Sequence, residues 1–258
     1  MRLDGAFALV TGAGSGIGQA LCVELAWRGA RLILVGRRKE ALEETAGQLA
    51  LPAAALIPGD LTRADDIARI ASKVGQLSAP LNLLVNNAGL VHPGRFAAQK
   101  TDEMVRMIET NLLAPMALTQ ALLPMLKRAS ASRIVNVGSM FGDIAFPYFS
   151  AYSATKFGLK GWSDALRREL AAEGIGVTYC APRGTRTPAA DGFADLARDF
   201  KMKLDPPDLV ARRIADGIER DARDVYPKGP ERLFLLIQKL FPAAIDKNLA
   251  KLRAARPD

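Results

Sequence analysis

Short apolar runs alternate with amphipathic stretches along most of the chain, and the two patterns imply different elements. Phe7-Ala8-Leu9-Val10 is too short for a helix and is followed by glycines, then by Ile17, Leu21 and Leu25 at helical spacing, which predicts strand, turn, helix. Arg31-Leu32-Ile33-Leu34-Val35 predicts a second buried strand, and residues 39–49 a helix closed off by Pro52. The alternation continues with a strand at Ala55-Leu56-Ile57, a helix over 64–74, a strand over 81–85, a helix over 102–113 and a longer one to 126. Arg133-Ile134-Val135-Asn136-Val137, a helix over 153–172, a strand over 176–180 and a helix over 209–220 complete the series. Strands joined by helical crossovers run parallel and are covered on both faces. The expected fold class is therefore α/β, a doubly wound three-layer sandwich around a central, mostly parallel sheet, forming one domain over 1–258.

Ligands of such sheets bind beyond the carboxyl ends of the strands, and the polar residues of the predicted strand ends collect on that rim. From 182 to 207 the periodicity weakens. Residues 188–207, with a helix near 192–200, read as a lid over substrate or equally as an ordered surface excursion. Beyond residue 230, Leu233, Leu236, Ile237, Leu240 and Phe241, then Ile245, Leu249 and Leu252 after Pro242, describe an amphipathic extension. Arg232, Lys239, Lys247, Lys251, Arg253 and Arg256 make it basic. Packing on its own domain is the preferred expectation; contact with an anionic membrane or an oligomer face is the other.

Composition narrows the class. A chain of 258 residues, 49% hydrophobic and 24% charged, can bury a core without disulfides or metals. The two cysteines, Cys22 and Cys180, read as reduced core thiols of a cytoplasmic protein. Met1 leads directly into the first strand, so no leader is expected. No apolar run reaches the roughly 18 residues of a membrane span. The net charge of +8 favours anionic ligands. Without zinc-finger spacing, an aromatic RNA-binding signature or a long basic tract, nucleic acid is not an expected partner. His92 is the single histidine, and no ligand spacing surrounds it, so no metal is expected.

The stretch Thr11-Gly12-Ala13-Gly14-Ser15-Gly16-Ile17-Gly18 joins the first strand to the first helix. Glycines there let the backbone approach a pyrophosphate, and the helix start offers it free N–H groups. Ile17 stands where the commonest dinucleotide fingerprint has its third glycine. Gly36-Arg37-Arg38 ends the second strand, where an acidic residue would hold an NAD ribose. Guanidinium groups pair instead with a 2′-phosphate, so NADP(H) is expected over NAD(H), with solvated strand-end charges as the alternative.

Tyr152 and Lys156, four apart in a helical pattern, share one face. A nearby ammonium favours the phenolate and is expected to lower the tyrosine pKa, tuning the hydroxyl to exchange a proton with an alcohol while hydride moves to or from nicotinamide. Ser139, just after the fifth strand, can hydrogen-bond the reacting oxygen. Met140, Phe141, Ile144, Phe146 and Phe149 form an apolar stretch that serves a lipophilic pocket or the core.

The glycine turn, Asn86-Asn87-Ala88-Gly89, Ser139 and the Tyr152/Lys156 pair occur in this order on this strand pattern, and over residues 3–187 the chain closely resembles the short-chain dehydrogenase/reductase family. The resemblance implies a Rossmann-type fold and an oxidoreductase interconverting a carbonyl and a secondary alcohol. It implies that Gly12, Ser15, Gly16, Ile17, Gly18, Asp60, Leu61, Asn87, Ala88, Gly89, Pro182, Thr185 and Thr187 contact the cofactor. Lys156 would also bind the nicotinamide ribose, and Asn111 would orient a water continuing a proton path from it. Family members pair through helices matching 102–126 and 153–172, so a homo-oligomer is expected. The chain departs from the family at Pro182-Arg183-Gly184-Thr185-Arg186-Thr187, where Arg183 replaces a glycine; Arg183 and Arg186 would meet an anion or stay solvated. The alternative to an enzyme is a catalytically idle dinucleotide-binding sensor or scaffold.

Overall fold

The computed structural model describes residues 1–229 and 231–254. Its elements follow the expected alternation: β1 (Phe7–Thr11), α1 (Gly16–Trp27), β2 (Arg31–Gly36), α2 (Lys39–Ala46), β3 (Ala55–Pro58), α3 (Ala64–Gly75) and β4 (Leu83–Asn86). Next come α4 (Thr101–Ile108), α5 (Ala114–Leu126), β5 (Ser132–Val137), α6 (Ser150–Glu169) and β6 (Ile175–Cys180). The chain continues through α7 (Pro188–Asp191), α8 (Ala194–Asp199), α9 (Pro207–Glu219), β7 (Asp224–Val225), α10 (Glu231–Leu240) and α11 (Pro242–Ala254). The seven strands form one sheet in the order β3-β2-β1-β4-β5-β6-β7. Every pair is parallel. The order reverses between β1 and β4, which opens a crevice at their carboxyl ends.

The strand period of two splits the core between the faces. Ala8, Val10, Leu32, Leu34 and Val135 meet Leu21 and Leu25 of α1 and Ile214 and Ile218 of α9. Phe7, Leu9, Ile33, Val35 and Ile134 meet Ile70 of α3, Leu118 and Leu122 of α5 and Leu166 of α6. Both cysteines are free and buried, and burial pushes their thiols well above the ordinary range.

Three features differ from the sequence reading. The helix expected over 102–113 stops at Ile108, and residues Glu109–Leu113 form a wide π-type turn that feeds α5. β7 is only two residues long, below the length at which alternation can be read. The tail does not pack wholly on the domain. Leu235 joins Tyr226 against Met140 and Tyr179, and Ile245 is buried, whereas Leu233, Phe234, Leu236, Leu240 and Phe241 are exposed. Pro230 and residues 255–258 of that extension, including Arg256, lie outside the described residues. No helix among the described residues is long and apolar enough to cross a membrane.

Candidate active site

The β1–α1 turn is built to bring backbone against backbone. Gly12 has φ +64°, and a Cβ there would lie 2.9 Å from the Cα of Ala88. A Cβ on Gly18 would fall 2.1 Å from the Gly12 carbonyl oxygen, so glycine is required at both positions. Asn87 fastens the turn from β4: its Nδ2 donates to the Thr11 carbonyl at 2.9 Å. Thr11 Oγ1 in return accepts the N–H groups of Asn87 and Ala88. The N terminus of α1 has no side-chain cap at Ser15. Its N–H groups and positive dipole end therefore remain available to an anion. A Gly-lined cradle with uncapped N–H groups fits a dinucleotide pyrophosphate.

Arg37, Arg38, Asp60 and Leu61 line a cavity of about 240 Å³ that shares Gly12, Ser15, Ala88 and Gly89 with a larger cleft of about 400 Å³. The two form one groove. Both arginines are exposed, whereas the Asp60 carboxylate accepts from the backbone N–H and hydroxyl of Thr62. Arg106 and Thr110, which the sequence did not single out, also line this end.

The larger cleft holds Gly16, Ile17, Ser139, Tyr152, Lys156, Pro182, Thr185 and Thr187. α6 presents Tyr152 and Lys156 on one face, with the Lys156 ammonium 5.6 Å from the Tyr152 ring centre. Lys156 Nζ donates to the Val137 carbonyl at 3.1 Å. The expected lowering of the tyrosine pKa is not realised. Burial pushes the Tyr152 hydroxyl up to about 12, and a side-chain hydrogen bond with Ser139 only partly opposes this. Burial also brings Lys156 down to about 8. Desolvation disfavours both charged forms and dominates at each group.

Asn111 lies in the wide turn before α5, and its side chain is a strut. Oδ1 accepts from Leu90 N at 2.7 Å, while Nδ2 donates to Leu90 O and to Thr155 Oγ1. A methyl on Gly89 would lie 3.5 Å from Asn111 Oδ1 and 3.7 Å from Lys156 Nζ, so both polar groups face that glycine. Thr187 Oγ1 donates to Thr185 O, and its methyl side covers Gly16.

Sequence reasoning missed Tyr179. Its fully buried ring lies under the Ser139 loop, and its hydroxyl donates to Ser139 O at 3.2 Å and accepts from Ser139 N at 3.4 Å. Cβ atoms on Gly138 or Gly142 would fall within 2.4 Å of this tyrosine, so the two glycines flanking Ser139 were the available signal. Tyr179→Phe keeps the ring and removes the support. Steady-state kinetics are expected to show kcat lowered about tenfold with KM within about twofold, because Ser139 is displaced rather than lost.

Arg183 lines the cleft and is held by protein partners rather than left to solvent. Its Nε lies 3.2 Å from Asp205 Oδ2, and an Nη donates to Lys228 O. Asp205 is buried, also takes Arg213 at 2.8 Å, and its backbone closes on Gly184 and Arg186. A guanidinium replaces the glycine here because a buried carboxylate receives it.

Phe141, Phe149 and Phe193 wall the cleft together with Met140 and Met202. Phe146 stands behind, stacked on Phe141 at 5.3 Å, and neither it nor Ile144 reaches the lining. His92 is also outside the lining, and no cluster able to hold a metal occurs among the described residues.

Known proteins resemble this chain in sequence and fold. A sequence model of the short chain dehydrogenase family matches residues 6–195. The ketoacyl reductase HetN of Nostoc sp. is 28% identical over 95% of this chain and 88% of its own length. An uncharacterised oxidoreductase of Staphylococcus aureus strain N315 is 32% identical over 79% of this chain and 87% of its own. A short chain dehydrogenase from Burkholderia cenocepacia J2315, solved in complex with NADP, superposes with a TM-score of 0.83 at 25% identity, covering 96% of this chain and 99% of that one. The chain belongs to the short-chain dehydrogenase/reductase family and is an NAD(P)-dependent oxidoreductase.

Proposed function

We propose that this enzyme uses NADP(H) to interconvert a lipophilic ketone and its secondary alcohol, with Tyr152 as acid and base. The observation that carries this reading is the convergence of Ser139, Tyr152 and Lys156 on the cleft that continues from the α1 cradle. Bound NADP(H) supplies or accepts the hydride. The Tyr152 hydroxyl gives its proton to the substrate oxygen as the new C–H bond forms at the carbonyl carbon, and takes it back in the alcohol direction. Ser139 Oγ–H donates to the same oxygen while charge builds there. The Lys156 ammonium supports the phenolate left behind and binds the nicotinamide ribose. Asn111, facing Gly89 beside Lys156, orients a water that returns the proton to solvent. Pro182, Thr185 and Thr187 hold the nicotinamide end, while Asp60 and Leu61 border the adenine.

The aromatic walls support a lipophilic substrate, and α7 and α8, with Phe193 in the turn between them, support a lid over 188–207. Val105, Ile108, Leu113 and Phe157 are exposed large apolar residues on α4, the turn after it and α6, which supports pairing into a homo-oligomer through this face. The free thiols support a reducing, cytoplasmic setting.

NADP(H) preference is supported by Arg37 and Arg38 beside Gly36, with the NADP-bound Burkholderia structure as a precedent. Purified protein is expected to oxidise NADPH against a panel of hydrophobic ketones. Arg37→Glu should lower kcat/KM for NADPH at least tenfold, about 1.4 kcal/mol, and leave NADH little changed. Equal use of the two cofactors by the wild type would overturn the preference; no turnover with any ketone would overturn the reaction.

A further inference from the structure

We propose that α10 and α11 form a docking surface for an anionic lipid bilayer. Leu233, Leu236 and Leu240 lie three and four residues apart on α10 and are 52–60% exposed. Phe234, 48% exposed, and Phe241, 66% exposed, make a second ridge beside them. Scattered apolar exposure is ordinary on a protein surface, but five large side chains on three turns are an interaction face. Pro242 opens α11 immediately after Phe241, so the two helices meet beside Leu240 and Phe241 with a single residue between them.

Charge decides the occupant. Lys239 and Lys247 are exposed on the two helices, opposed by exposed Asp246. In sequence, residues 228–258 carry seven basic and three acidic side chains, half of the net charge of +8. Apolar side chains that enter the acyl boundary and cations that meet anionic headgroups are the two requirements of an interfacial helix. A second copy of the chain fits less well, because a two-fold contact through this face sets those cations against themselves.

The first of the two helices is also tied to the cleft. Leu235, on the opposite side of α10, packs with Tyr226 against Met140 and Tyr179. Met140 lines the cleft. Docking therefore holds the cleft beside the phase in which a lipophilic carbonyl compound concentrates, although lipid binding itself does not depend on the carbonyl reading.

The test uses full-length protein without substrate, sedimented with vesicles of phosphatidylcholine alone or with about one third phosphatidylglycerol at about 0.15 M salt. Recovery with the anionic vesicles and not with the neutral ones is expected. Leu236→Glu/Phe241→Glu and Lys239→Glu/Lys247→Glu should each weaken it about tenfold or more, with unchanged melting temperature and unchanged stabilisation by added NADP+. Equal or no recovery with the two vesicle types overturns the proposal. So does a wild-type dimer that Leu236→Glu/Phe241→Glu splits without any vesicle binding, which would assign the face to a second copy. Loss of the NADP+ effect in the wild type would instead count against the proposed reaction alone.

Discussion

Tyr152→Phe is expected to lower kcat for ketone reduction by about 10²–10⁴, the range of a well-placed general acid, while NADP(H) affinity stays within about twofold. The exchange removes one oxygen from a ring held edge-on by Phe141 at 6.3 Å and Phe149 at 6.5 Å, so the pocket keeps its shape. The size of the loss follows from the hydroxyl's proposed role as the proton source. With its pKa near 12 the group stays protonated throughout the neutral range, which suits reduction; oxidation should gain as pH rises. Initial rates in both directions and fluorescence titration of NADPH separate chemistry from binding. A phenylalanine variant with full turnover would leave an idle sensor as the better description.

Lys156→Met is expected to abolish at least about 99% of turnover and yet make the protein harder to unfold at neutral pH. Burial lowers this lysine from 10.5 to about 8, so its charged form costs the folded state on the order of 3 kcal/mol below pH 8. That cost shrinks as pH rises from 8 towards 10.5 and is absent above, where the lysine of the unfolded chain is neutral as well. Methionine removes it but leaves the Val137 carbonyl without its donor, which returns about 1–2 kcal/mol. The net gain of roughly 1–2 kcal/mol corresponds to a few degrees in Tm at pH 7. Calorimetry at pH 7 and pH 10.5 checks the sign: the variant should melt higher at the first and no higher at the second. A variant that melts lower at pH 7 would show that Lys156 is not strained by burial.

The doubly wound sheet was readable because each strand is a short apolar run and each crossover helix carries its own stripe, so local pattern and global topology agree. The candidate site was readable where placement depends on residue type at fixed spacing, as with Tyr152 and Lys156, or on missing side chains, as with Gly12 and Gly18. Tyr179 escaped because it sits in a run that looks like any buried strand, and only the folded chain shows its hydroxyl beneath Ser139. The hold on Arg183 escaped for a related reason, since its partner Asp205 is remote in sequence and burial of that carboxylate is a tertiary property. The tyrosine pKa went the wrong way because spacing reports the neighbouring cation and says nothing of water exclusion.

Both feet of the arch over residues 188–202 stand on one carboxylate: Asp205 grips Arg183 on one side and Arg213 of α9 on the other, and its backbone clasps Gly184 and Arg186. Such a base cannot pivot without breaking paired charges. In the proposed lid, movement is therefore confined to the span between the feet, where Phe193 and Phe200 rest on Phe149, Phe146 and Tyr148 through ring contacts of 5.1–5.8 Å. On that proposal, selection can retune the span one aromatic at a time, trading residence time against throughput, while the dinucleotide cradle below stays untouched.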